Sequence, residues 1–141
     1  MFTLLSIFLL SSEPGDTIEK PPVGSYLETV KIIHHPSEIM FQGRMYDLEL
    51  FVHFPEDILK SVSLFIRTDT TNRYQEIPMK LIRGRYSVRY DPAVYPGVLL
   101  QYFFIVRLAD YSVFATPINK NGIIQPVEHK LIDPVKYYQL K

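Results

Sequence analysis

The 141-residue sequence contains no cysteine and no tryptophan. Without thiols there is no disulfide framework, no thiolate zinc or iron–sulfur site and no cysteine nucleophile. Neither sign of charge predominates, since fifteen Lys and Arg offset fifteen Asp and Glu. A surface that tracks phosphates needs a basic excess, overall or as a stripe, so nucleic acid is not an expected partner. Glycine is scarce, six residues against eleven prolines, and neither a Gly-rich phosphate loop nor a Gly-x-Ser-x-Gly elbow is present. No apolar run reaches the roughly 20 residues that cross a bilayer as a helix.

What is present is a globular balance, 47% hydrophobic and 21% charged, in a length that suits one domain. The first ten residues, MFTLLSIFLL, are apolar apart from two small hydroxyls and run into Ser11-Ser12-Glu13-Pro14-Gly15. A short apolar run ending in small residues reads residues 1–12 as a signal-peptide-like segment. The expected location is therefore extracytoplasmic: periplasmic, cell-surface or secreted. Contact with a membrane is expected only through this segment, if it stays uncleaved. Residues 13–25, rich in Pro, Gly and Ser, hold too little apolar surface to offset their ordering entropy and read as a linker. The folded domain is expected over residues 26–118. Residues 119–141 form a C-terminal extension with one strand candidate at residues 135–140.

From Tyr26 onward the hydrophobic period is two. Leu48, Leu50, Val52 and Phe54 fall on one face, and Asp47, Glu49 and His53 on the other, the alternation of a half-buried antiparallel strand. Val62, Leu64 and Ile66 repeat the pattern. Residues 74–82 follow, with Pro78 inside them, which predicts an edge strand or a bulge because proline cannot donate to a ladder. Tyr86, Val88 and Tyr90 alternate after Gly84. Residues 99–108, LLQYFFIVRL, are apolar on both faces and predict a central strand. Short strands separated by turns, without a convincing amphipathic helix, predict an all-β fold: a single antiparallel β-sandwich of about seven strands.

The stretch Val94-Tyr95-Pro96-Gly97-Val98-Leu99-Leu100-Gln101-Tyr102 resembles the turn into the sixth strand of immunoglobulin-like and fibronectin type III domains. There a Pro-Gly corner precedes a Tyr whose hydroxyl returns to the backbone. Leu64-Phe65-Ile66-Arg67, Tyr74, Pro78-Met79, Gly84-Arg85-Tyr86 and Tyr102-Phe103-Phe104 running to Ala109-Asp110 resemble a bacterial variant of such modules. The resemblance covers residues 30–117. It implies an immunoglobulin-like sandwich serving as an accessory module of exported or cell-surface proteins, and it is nearly silent on activity.

Catalytic constellations are thin. His34 and His35 are adjacent, so in a strand they point to opposite faces and cannot share a metal. Asp47 and Glu49 share a strand face about 7 Å apart, a spacing that glycosidase chemistry uses and that a solvated face shows by accident. No enzyme activity, cofactor or metal is expected. The aromatics say more. One face of residues 99–108 must fill the sandwich, and the other must be covered by the C-terminal segment (Ile123-Ile124 or residues 135–140) or by a partner. Phe65, Arg67, Phe103, Ile105 and Arg107 point outward in this register and are the candidate partner-binding residues. Protein–protein association in an envelope or surface assembly is the expected function, aided by strand addition at a free edge. The alternative is a carbohydrate-binding sandwich with Tyr74, Tyr86 and Tyr111 as stacking platforms.

Overall fold

The computed structural model describes residues 19–22 and 24–139. The signal-like residues 1–12 therefore lie outside the described residues, as do residues 13–18 and Val23 of the expected linker. Nine strands are described: β1 (Ile32–Ile33), β2 (Tyr46–Val52), β3 (Leu59–Thr68), β4 (Gln75–Pro78), β5 (Lys80–Ile82), β6 (Arg85–Tyr90), β7 (Leu99–Leu108), β8 (Val113–Thr116) and β9 (Val127–Lys130). They form an all-β sandwich of two antiparallel sheets. One sheet runs β1-β2-β6-β5; the other runs β4-β3-β7-β8, with β9 also on β7.

Strand β7 explains its own composition. Residues 100–108 of it pair with β3 on one edge, and its other edge is filled in series by β9 and β8. A strand so placed has both faces to cover, hence the continuous apolar run. Leu100, Tyr102, Phe104, Val106 and Leu108 enter the inter-sheet core with Leu48, Leu50, Leu64, Ile66 and Tyr90. Phe103 and Ile105 face the other way, into a smaller core completed by Ala115 and Ile124. Burying each large side chain contributes about 1.5–3 kcal/mol of transfer free energy.

Three details differ from the sequence reading. Residues 74–82 do not form one strand. After Pro78, which can donate nothing to β3, the chain leaves that sheet, and the Met79 amide donates to the Val62 carbonyl at 2.9 Å. Met79 turns into the core, and β5 pairs with β6 in the opposite sheet. Pro78 thus marks an edge strand that ends in a change of sheet.

The second difference is at the C-terminus. Residues 135–140 were expected to extend; instead α1 (Pro134–Gln139) is a short helix, and Leu140 lies outside the described residues. Asp133 caps it, its Oδ1 accepting the Val135 amide at 3.0 Å, and Pro134 at the first helical position is pre-set in φ. The strand of this region is β9, four residues pinned to the first half of β7.

The third concerns the tyrosine corner. The Tyr102 hydroxyl does not return to the backbone. It meets His34 Nε2 at 2.8 Å, while the Tyr90 hydroxyl makes a long 3.4 Å contact with the Tyr95 carbonyl. The corner itself is locked by Asp69, whose Oδ1 accepts the amides of Val98 and Leu99 at 2.9 and 3.1 Å. Gly97 is required there: its φ is +147°, and a Cβ would collide with the Asp69 carboxylate and Thr68.

Candidate functional site

The five residues expected to meet a partner do lie on the outer face of the β3/β7 sheet, but the chain itself occupies them. Phe103 is fully buried and Ile105 is 4% exposed. The half-buried Phe65 ring stacks on Phe103 at 5.0 Å, and Tyr74 meets Phe103 edge-on at 5.0 Å. Tyr26, Ile118 and Ile124 complete the cover. Residues 19–22 and 24–26 strap across this face, held at one end by the Glu19 amide on the Asn72 carbonyl and at the other by the Tyr26 amide on the Gly122 carbonyl.

Arg67 is spent on the same strap. Its Nε donates to Gln101 Oε1 at 2.7 Å, its Nη1 to the Glu19 carbonyl at 2.8 Å, and the guanidinium lies 4.7 Å from the Tyr74 ring. Arg107 Nη1 donates to Glu76 Oε2 at 3.0 Å. Ser63 donates to that same oxygen at 2.8 Å, and the Ser63 bond, followed by Arg107, holds the Glu76 carboxyl below the usual range.

The three tyrosines expected as sugar platforms share no face. The Tyr74 hydroxyl is buried without a hydrogen-bond partner among the described residues. Tyr86 is half-buried against the inter-sheet core. Tyr111 is 83% exposed at the β7–β8 turn, with φ +71° and the Lys60 ammonium 5.4 Å from its ring. Asp47 and Glu49 lie on the outer face of the other sheet, paired with Arg89 and Arg85 respectively. The two adjacent histidines diverge as expected, His34 inward and His35 against the Phe51 ring. Among the described residues no three His, Cys, Asp or Glu side chains converge as metal ligands.

A feature the sequence did not reveal lies on the outer edge of β3. Strand β4 pairs only with residues 63–66, because the chain departs for the other sheet at Met79. Residues 59–61 pair with β7 on their inner side, through a bulge at Lys60, and no described strand pairs with them on the outer side. Beside this half-edge lies a groove of about 440 Å³. Leu59, Val62, Met79, Leu81 and Tyr86 line it, with Glu56 and Lys60 at its rim. Leu81 and Ile82 are half exposed, and Ile58 is 38% exposed nearby. Unpaired strand backbone beside exposed apolar side chains accepts an extended peptide: main-chain bonds supply affinity and the groove supplies side-chain selection. The sequence signal was Pro78, whose position says that β4 must end but not where the chain goes next.

Compared with known protein families and with characterised proteins, the sequence matches none at a significant level.

Proposed function

We propose that this chain is an immunoglobulin-like or fibronectin type III-like module that works outside the cytoplasm as a non-enzymatic protein-association domain. Its partner contributes an extended segment that adds to the outer edge of β3 at residues 59–61 and lodges apolar side chains in the adjoining groove. The observation that carries this reading is the departure of β4 halfway along β3, which leaves strand backbone unpaired beside Leu81, Met79 and Tyr86. The assignment to exported modules rests on the signal-like residues 1–12 and on the strand motifs around Pro96-Gly97 and Pro78-Met79.

Selection of displayed peptides against the full chain, followed by hydrogen exchange on the complexes, tests it. The expected result is enrichment of peptides with alternating apolar residues that slow exchange at the amides of residues 60–62 and lose binding in Leu81→Glu. Failure to enrich any such peptide, or protection confined to other strands, overturns the proposal.

A further inference from the structure

The outer face of the β1-β2-β6-β5 sheet carries a second groove, of about 710 Å³. Its floor holds two cross-strand ion pairs: Arg89 Nε on its register partner Asp47 (Oδ1) at 3.0 Å, and, diagonally, Arg85 Nη1 on Glu49 Oε1 at 3.2 Å. Each contact uses one donor and one carboxylate oxygen. Both Nη groups of Arg89 and the second oxygen of each carboxylate engage no other hydrogen bond among the described residues. Lys80 and Arg83 line the same groove without a carboxylate partner among the described residues. Four cations thus face two carboxylates. Pro78 and Ile82 supply an apolar wall.

This mixture discriminates among anions. A phosphodiester chain or an acidic peptide side chain brings acceptors only, which Asp47 and Glu49 repel. A sugar hydroxyl donates and accepts at once, so neighbouring hydroxyls can bridge a guanidinium and the carboxylate beside it. The C–H face of a pyranose suits Pro78 and Ile82, and the two surplus cations require negative charge on the ligand.

We propose that this groove binds an acidic polysaccharide, a chain of carboxylated hexoses. Its hydroxyls meet the Asp47–Arg89 and Glu49–Arg85 pairs, and its carboxylates meet Lys80 and Arg83. This groove meets the one beside the β3 edge at Pro78, but none of its charged residues lines that groove, and the site stands whether or not a peptide binds there.

Calorimetric titration of the full chain with oligogalacturonate at low salt tests the assignment, with its methyl ester and poly-glutamate of matched length as controls. The expected result is saturable binding of the acid form, weakened about tenfold or more in the double variant Lys80→Ala/Arg83→Ala. Asp47→Asn separates recognition from adsorption. It removes a negative charge, so mere electrostatic attraction tightens, whereas with the remaining oxygen held by Arg89 the new NH2 group replaces the hydroxyl acceptor by a donor and weakens binding. Weaker oligogalacturonate binding in Asp47→Asn supports the proposal. Absence of saturable binding, equal affinity for the methyl ester or for poly-glutamate, or tighter oligogalacturonate binding in Asp47→Asn overturns it. Unchanged thermal melts of these surface variants exclude misfolding as the cause.

Discussion

The Tyr102 hydroxyl donates to His34 Nε2 at 2.8 Å, joining the segment after β1 to the middle of β7 and so one sheet to the other. The tautomer follows from the opposite nitrogen: Nδ1 lies 2.7 Å from the Glu49 carbonyl and must donate to it, which leaves Nε2 as the acceptor. The ring rests 4.7 Å from Phe104. Burial pulls His34 below the usual imidazole range, against the opposing effect of the Glu49 carbonyl, and the neighbouring His35 and His129 add to the fall. Burial lowers His129 and raises the Tyr102 hydroxyl.

Acid should therefore weaken the sandwich. The folded state holds both histidines below their ordinary value of 6.5, so below that pH the unfolded chain binds more protons. Stability present above it is lost as pH falls through the folded values. A second proton also turns His34 Nε2 into a donor, so the Tyr102 hydroxyl must rotate to accept from it. Urea midpoints measured from about pH 7.5 down to about pH 5 should drop, and should drop less steeply in His34→Gln. Equal slopes in the two proteins would count against a His34 origin.

Removing the hydroxyl alone tests the hydrogen bond. Tyr102→Phe keeps the ring and leaves His34 Nε2 without its donor, a loss of about 1–2 kcal/mol near neutral pH. Equilibrium unfolding that shows no change would mean that the contact contributes nothing net.

Phe103 should behave as a core residue and not as a contact for a partner. Phe103→Ala opens a cavity among Phe65, Tyr74, Ala115 and Ile124 and should cost about 3–5 kcal/mol in urea unfolding. A near-neutral result would mean that the strap of residues 19–22 and 24–26 does not cover this face in solution.

The corner before β7 has no room for a methyl group. Gly97→Ala sets a Cβ against Asp69 and Thr68 at a φ that L-residues rarely adopt, and should cost about 1–3 kcal/mol. Differential scanning calorimetry reads this as a lower Tm; an unchanged Tm would show that the turn can rearrange.

Tyr111 offers the opposite sign. An exposed side chain at φ +71° bears a backbone cost that glycine does not. Tyr111→Gly should leave stability unchanged or raise it by up to about 1 kcal/mol. Marked destabilisation would assign the ring a packing role that its exposure does not suggest.

Much of the scaffold was legible from spacing. The period-two runs at Leu48–Leu50, Val62–Leu64–Ile66 and Tyr86–Val88 became strands whose apolar faces enter one core. The outward side of Phe65, Phe103 and Ile105 followed from the same alternation. What covers that side did not, because Tyr26, Ile118 and Ile124 converge on Phe103 from distant parts of the chain, and no local pattern encodes their meeting. Residues 135–140 misled for a local reason. Their apolar and aromatic residues suit a strand, and the Asp133-Pro134 cap that starts a helix outweighs them.

By itself, then, the sequence determined the all-β class, the principal strands and the need to cover both faces of residues 99–108, because alternation and burial act between neighbours along one strand. Only the tertiary structure decided that β4 and β5 belong to different sheets. It alone decided that this change of sheet leaves the outer side of residues 59–61 without a described strand, and that Asp47, Glu49, Arg85 and Arg89 share one groove with Lys80 and Arg83. Those outcomes depend on where strands lie across the sandwich, and sheet order is set by long-range packing that no single stretch of residues contains.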